Sequence, residues 1–328
     1  MKKNSYIAFV DLLGTSDLSR SNPTKFYNSL ITFQETISNS SSLLGSDGSV
    51  FVFSDCAYLE SKSLDTLVRY IRDVRRTLME EGYYLKGSIG QGSLEARELH
   101  NTGKIKDQKI LSQRRKVVKG SSFGQDVVGI YGLQDGLRGI GIRIHEDLKD
   151  EIEKRGFAVS SCHLPQINNR HAECFKDLKF EKRELQDGVL LKFLKNFFMT
   201  NTKSKRFGRY YLSFIISWIK SSDFTDVNPQ EETDSKDTTP LIYQLLINGA
   251  LEKYLVDLVG IEYIYFTFLD RIYEQCESQK VIMKIQNQVA SRKKLVACLE
   301  NLPDCLFGQK SRSKFLEYLS GRIGSPSL

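Results

Sequence analysis

Residues 6–18 read YIAFVDLLGTSDL, and the place of Asp11 within them decides how the first half of the chain is built. Five mostly apolar residues lead into the acid, and Leu-Leu-Gly-Thr follows it. The near-continuous apolar, β-branched and aromatic character of residues 5–13 predicts a central strand covered on both faces. A carboxylate driven onto the end of such a strand is costly unless something positive meets it. A buried Arg or Lys, a helix N-terminus or a metal ion would serve.

Working outward, Pro23 opens a helical pattern through about Ile37, with Phe26, Leu30, Phe33 and Ile37 at three- and four-residue spacing. The polar tract SNSSSLLGSDGS is a loop. VFVFSDCAYLES (50–61) predicts two short strands joined at Ser54-Asp55, a hairpin whose tip carries an acid. Leu64, Leu67, Val68, Ile71, Val74 and Leu78 set a second helical period over 64–81, and GYYLKGSIGQGSL (82–94) reads as a strand. Its glycines suggest close backbone approach. A polar flap is expected at 95–116, a helix around 122–134 and a strand around 138–144. This order predicts an α+β architecture with an antiparallel or mixed sheet. Beyond about residue 150 the texture turns helical, at 146–156, 186–200, 208–220, 241–275 and 279–300. An acidic loop or linker at 223–240 precedes the last two helices. The division expected is residues 1–160 and 161–328.

The 328 residues carry 40% hydrophobic and 27% charged side chains, an ordinary globular composition with room for a substantial core. A net charge of +7 favours anionic partners such as nucleotides. Basic clusters at Arg114-Arg115-Lys116, Lys203-Ser204-Lys205-Arg206 and Arg292-Lys293-Lys294 lack the interleaved aromatics of single-strand binders, so nucleic acid is not the expected partner. Asp11 interrupts the first apolar run, which argues against a secretory signal. RYYLSFIISWIK and IEYIYFTFLDR are too short for membrane spans and read as buried helices. Six Cys without such a signal suggest reduced thiols in a cytoplasm.

Asp11 ends the first strand and Asp55 tips the next hairpin, so neighbouring strands would bring two carboxylates to one end of the sheet. The sequence shows no obvious cationic partner for either. Two such groups repel unless a proton or cation lies between them, and Mg²⁺ suits hard oxygen ligands of this kind. Removing either acid would then relieve repulsion in the metal-free protein. Gly14 and Thr15 follow where a turn into a helix could present backbone N–H groups to a phosphate.

The runs YIAFVDLLG, VFVFSD and LKGSIGQG together resemble the catalytic domain of class III nucleotidyl cyclases, most closely the pyrimidine nucleotide cyclases of Pycsar antiphage defence. The resemblance covers roughly residues 5–160. It implies a ferredoxin-like palm domain, followed here by a mainly helical C-terminal region. Asp11 and Asp55 match the two metal-binding aspartates, Leu12 falls where a backbone carbonyl also ligates metal, and Arg143 in GIRI matches the arginine of the late strand. Lys86 replaces the expected Arg before Gly87. In GQDVVGIYGLQDG (124–136), Asp126 and Gln134 depart from the usual small residue and Glu.

What the resemblance implies is cyclisation of UTP or CTP to a 3′,5′-cyclic monophosphate and pyrophosphate, with two Mg²⁺ or Mn²⁺ ions as cofactors. It also implies a homodimer with shared sites and a separate effector that responds to the product. Arg143, Arg138 and Lys119 are the candidates for meeting phosphoryl charge. Leu13, Gly14, Thr15, Tyr58 and Lys86 are the candidate substrate contacts, with Tyr58 placed to stack on a base and Lys86 to reach a pyrimidine oxygen or a phosphate. The alternative is a catalytically weak cyclase-fold binding protein whose helical half recognises a partner; the altered segment at 124–136 motivates it. A palm enzyme that joins nucleotides intermolecularly is disfavoured, because no Gly-Gly-Asp-Glu-Phe-type hairpin is present. Cys162, His163, His171 and Cys174 have zinc-ligand chemistry, but adjacent Cys-His ligands are awkward for a tetrahedron, and an ordinary loop is expected there. GSIGQG (87–92) lacks the Lys-Ser/Thr and the strand-to-helix setting of a phosphate loop.

Overall fold

The structure is a computed structural model and describes residues 5–46, 48–92, 130, 140–163, 174–199, 205–227, 240–251 and 260–323. The chain divides into two units, Met1–Val159 with Lys176–Leu178, and Ser160–Phe175 with Lys179–Leu328.

In the first unit β1 (Tyr6–Leu12) is followed by α1 (Thr15–Ser21) and α2 (Pro23–Ser40). The hairpin β2 (Ser49–Phe53) and β3 (Cys56–Ser61) leads to α3 (Leu64–Glu80) and β4 (Leu85–Gln91). β5 (Gly141–Ile144) and α4 (Lys149–Lys154) come next; β6 (Val159–His163) and β7 (Cys174–Leu178) follow, each running across a boundary between the two units. Strand order in the sheet is β2-β3-β1-β4-β5-β7-β6. β1 is antiparallel to both β3 and β4, and β4 is parallel to β5. Thus β3 lies between β1 and β2, and β1 lies between β3 and β4. Each helical crossover skips one strand, which makes two split βαβ units and a ferredoxin-like palm. The sheet is mixed, within the range the sequence allowed.

β1 is central because both of its faces are buried. Tyr6, Ala8, Val10 and Leu12 join Ala57, Leu59, Leu85, Ile89, Ile142 and Ile144 in a core covered by Phe33 and Ile37 of α2 and Leu67, Val68, Ile71, Val74 and Leu78 of α3. Ile7 and Phe9 point to the opposite face, with Ile130, Cys56 and Tyr58. The side-chain period of two is therefore intact, though the residues read as one apolar run. Ser63 caps α3 by accepting from the Thr66 backbone N–H at 3.3 Å. Gly87 is forced by close approach: a Cβ there would lie 2.4 Å from the Phe9 carbonyl oxygen.

Some elements differ from the sequence reading. α1 begins where the turn at Gly14-Thr15 was read as leading into a helix, but its length is not set by a period, because TSDLSRS offers only Leu18 as an apolar residue. Gly14, left-handed at φ 85°, turns the chain into it. β6 and β7 occupy the ends of the segment read as a loop; β7 is recruited by backbone pairing, with Arg143 opposite Asp177 and Ile144 opposite Lys176. The flap at 95–116 and the helix at 122–134, Ile130 excepted, lie outside the described residues.

The second unit contains α5 (Asp187–Met199), α6 (Lys205–Ser221), α7 (Leu241–Ile247), α8 (Ile261–Gln275), α9 (Gln279–Ala290), α10 (Lys293–Ala297) and α11 (Gln309–Ile323). The two apolar segments are its core helices, as expected. Phe214 of α6 stacks on Phe193 at 3.9 Å and packs on Trp218, while Phe266 of α8 meets Phe307 and Phe315. The helix expected over 241–275 is not one uniform element: α7 ends at Ile247, α8 begins at Ile261, and residues 252–259 are outside the described set. Among the described residues no helix is long and apolar enough to cross a membrane.

Candidate active site

The last residues of β1 and the tip of the β2–β3 hairpin are tied together by main chain. The Leu12 N–H donates to the Asp55 carbonyl at 2.8 Å, and the Leu13 N–H donates to the Tyr84 carbonyl at 2.9 Å. At the tip Ser54 adopts φ 50°, a left-handed conformation uncommon for a non-glycine residue. These contacts place Asp11 and Asp55, forty-four positions apart in sequence, at one end of the sheet.

Each carboxylate already has a partner. Asp11 stands opposite Cys56 on β3 and Lys86 on β4. The Lys86 Nζ lies 2.8 Å from Asp11 Oδ2, with the two side chains 22% and 20% exposed. The Thr15 hydroxyl donates to Asp55 Oδ2 at 2.5 Å, and its Oγ1 is 3.5 Å from the Leu12 carbonyl oxygen. The Cys56 thiol senses the whole group. Its pKa is pushed up to about 12, chiefly by burial and then by the charges of Asp11 and Asp55, with Lys86 opposing.

Two sequence expectations change here. Asp11 does have a cationic partner, Lys86, invisible in sequence because it sits on another strand. The Lys86 ammonium contacts that carboxylate. Thr15 engages Asp55 through its hydroxyl, where only a backbone N–H had been expected to matter.

The strand registers arrange the other candidates in rows on this sheet face. One row runs Cys56, Asp11, Lys86, Gly141, and the next runs Tyr58, Phe9, Ser88, Arg143. Arg143 therefore stands one strand beyond Lys86 and one row along, with Cα displacements of about 4.8 Å and about 7 Å. Tyr58 packs its ring on Phe9 with centroids 4.8 Å apart and meets Phe53 edge-on at 5.9 Å. Phe9 and Phe53 were not singled out in sequence, because an aromatic in an apolar run gives no sign of its neighbours. Ser88 is fully buried and donates to the Ile130 carbonyl at 2.6 Å. Arg138, Lys119, Asp126 and Gln134 lie outside the described residues.

Two carboxylates from separate strands, with the Leu12 carbonyl in the same short segment, are hard oxygen donors of the sort Mg²⁺ or Mn²⁺ uses alongside water and substrate phosphate. The residues present fit such an ion. Among the described residues no group of three or more His, Cys, Asp or Glu side chains is assembled to hold a metal by itself. Cys162 and His163 close β6 and Cys174 opens β7, while His171 is outside the described set.

No family profile and no curated protein sequence matches this chain. Similar solved structures are catalytic domains of adenylyl and guanylyl cyclases. The adenylyl cyclase CyaB from P. aeruginosa is 13% identical, aligning 56% of this chain with 97% of its own at a TM-score of 0.36. An adenylate cyclase from Trypanosoma brucei is 10% identical over 55% of this chain and 89% of its own, with a TM-score of 0.38. The guanylate cyclase domain from Catenaria anguillulae, solved with GTP, is 11% identical over 54% and 96%, with a TM-score of 0.37.

Proposed function

We propose that the first unit is a nucleotidyl cyclase, converting a nucleoside triphosphate to its 3′,5′-cyclic monophosphate and pyrophosphate. The observation that carries this reading is the joining of Asp11 and Asp55 at one sheet end by the Leu12–Asp55 main-chain bond, beside the face that presents Lys86 and Arg143.

In the reaction the ribose 3′-oxygen forms a bond to the α-phosphorus as the bond to the β-phosphate bridge breaks. The hydroxyl proton leaves to water. Asp11, Asp55 and the Leu12 carbonyl would hold Mg²⁺ or Mn²⁺, which when bound lowers the hydroxyl pKa and offsets phosphate charge. Thr15 fixes the Asp55 carboxylate through its 2.5 Å hydrogen bond. Arg143 supplies a forked donor for charge on the α-phosphoryl group and departing pyrophosphate. Tyr58, backed by Phe9 and Phe53, offers a ring edge along the same face for the base.

The finer reading is a pyrimidine substrate, UTP or CTP, and a product that signals to a separate effector in antiphage defence, with the site shared between two copies of the chain. It is supported by the motif resemblance around Asp11, Asp55 and Arg143. Incubating the full chain separately with the four ribonucleoside triphosphates and Mn²⁺, then resolving products by mass, tests both levels. Cyclic UMP or cyclic CMP is expected. Cyclic AMP or cyclic GMP alone would discard the pyrimidine reading and keep the cyclase, and no cyclic product from any of the four would discard the enzyme. The second reading, a catalytically weak nucleotide-binding module, is favoured by one observation: Lys86 already neutralises Asp11.

A further inference from the structure

We infer that Lys86 is a built-in counter-ion that competes with the divalent cation for Asp11, so that metal affinity is set by an exchange of one cation for another. The inference rests on the reading of Asp11 and Asp55 as metal ligands. Its own support is geometric. Lys86 is fixed opposite Asp11 by the β1–β4 register, and its Nζ reaches Oδ2 at 2.8 Å. The pair is four-fifths buried, so neither charge is simply a solvated surface group. On the other side, Asp55 is tied by a neutral donor, the Thr15 hydroxyl, which can remain bonded to one carboxylate oxygen while the other binds a cation.

The two acids are therefore held in unlike ways. Asp55 is pre-oriented for a metal, whereas Asp11 is occupied by a positive charge that a metal must displace. An ammonium group held on one Asp11 oxygen repels a divalent ion brought to either oxygen, whereas the neutral Thr15 hydroxyl on Asp55 does not. Binding the ion breaks the Asp11–Lys86 pair and releases the ammonium on the sheet face that also carries Arg143. Lys86 acts in metal binding through Asp11 and is in that respect a positioning residue. Its sign is unusual, since removing it should improve the affinity of the site.

The experiment is Mn²⁺ binding to the full-length protein, measured by electron paramagnetic resonance of free Mn²⁺ without nucleotide. Wild type is compared with Lys86→Met, Lys86→Arg, Asp11→Ala and Asp55→Ala, and circular dichroism checks each fold. Lys86→Met keeps the length of the side chain and removes the charge. It should bind Mn²⁺ roughly two- to fivefold more tightly, the scale of a partly exposed ion pair. Lys86→Arg should return affinity to near the wild-type value. A purely structural lysine would give the opposite sign, with weaker binding in Lys86→Met. Equal or weaker affinity in folded Lys86→Met, with wild-type binding lost in Asp11→Ala and Asp55→Ala, would overturn the exchange and leave the metal reading standing. Mn²⁺ affinity unaffected by Asp11→Ala and Asp55→Ala would overturn both.

Discussion

Asp11 and Asp55 are balanced by different groups, and their removal should have different costs. Asp11→Ala leaves the Lys86 ammonium partly buried without its carboxylate, so metal-free stability should fall by about 1 kcal/mol. This reverses the simple expectation of relief from repulsion, and urea unfolding in EDTA measures it. Both Asp11→Ala and Asp55→Ala should lower cyclisation by on the order of 10³-fold while the circular dichroism spectrum stays native. Near-normal turnover of either at saturating Mn²⁺ would remove that acid from the site. Cys56 reports on the same charges. With its pKa near 12, it holds less thiolate at pH 8 than an ordinary cysteine, so iodoacetamide should label it slowly. Asp55→Asn withdraws one of the charges that raise the pKa, and the labelling rate should increase; peptide mass spectrometry after timed quenching follows it.

At the scale of the element, the site depends on how tightly β4 lies against β1. Gly87 permits that approach, since any Cβ would press on the Phe9 carbonyl 2.4 Å away and on the Ile142 and Val10 side chains at 3.1 and 3.2 Å. Gly87→Ala should destabilise the protein by about 1–3 kcal/mol. Gly188 in α5 is a useful contrast: its Cβ position is open and its φ is not left-handed. Gly188→Ala should be neutral or stabilising by up to about 1 kcal/mol. Differential scanning calorimetry of the two variants compares them directly. A Gly87→Ala protein as stable as wild type would mean that the sheet can part without cost.

At the scale of the whole molecule, variants of Arg143 test whether one copy of the chain is enough. It lies one row from the Asp11–Lys86 pair on a neighbouring strand. If its partner charge develops chiefly in the transition state, Arg143→Lys should lower kcat by about 100-fold with little change in KM. Mixing Asp11→Ala with Arg143→Ala protein tests whether sites are shared between copies. A heterodimer would hold one site with both groups intact, and activity should recover in part. No recovery, once subunit exchange is verified by differential labelling, would place both residues in a single subunit's site. A normal kcat for Arg143→Ala would exclude it from the chemistry.

Local pattern determined the helices and strands whose burial is periodic. The apolar run at Tyr6–Leu12, the Ser54-Asp55 turn and the heptad-like spacing of α3 are each legible because side-chain period and turn chemistry act within a few residues. The same locality made Asp11 and Asp55 conspicuous, since a carboxylate at a strand end is a local anomaly. What only the tertiary structure decided is pairing. That Lys86 meets Asp11, that Thr15 bonds Asp55, and that Tyr58, Phe9, Ser88 and Arg143 share a row all follow from strand order and register. α1, with a single apolar residue, and β7, recruited by backbone bonds to β5, left little trace in side-chain pattern for the same reason. Main-chain hydrogen bonds are blind to side-chain identity, so the contacts they dictate cannot be read from composition or spacing along one strand.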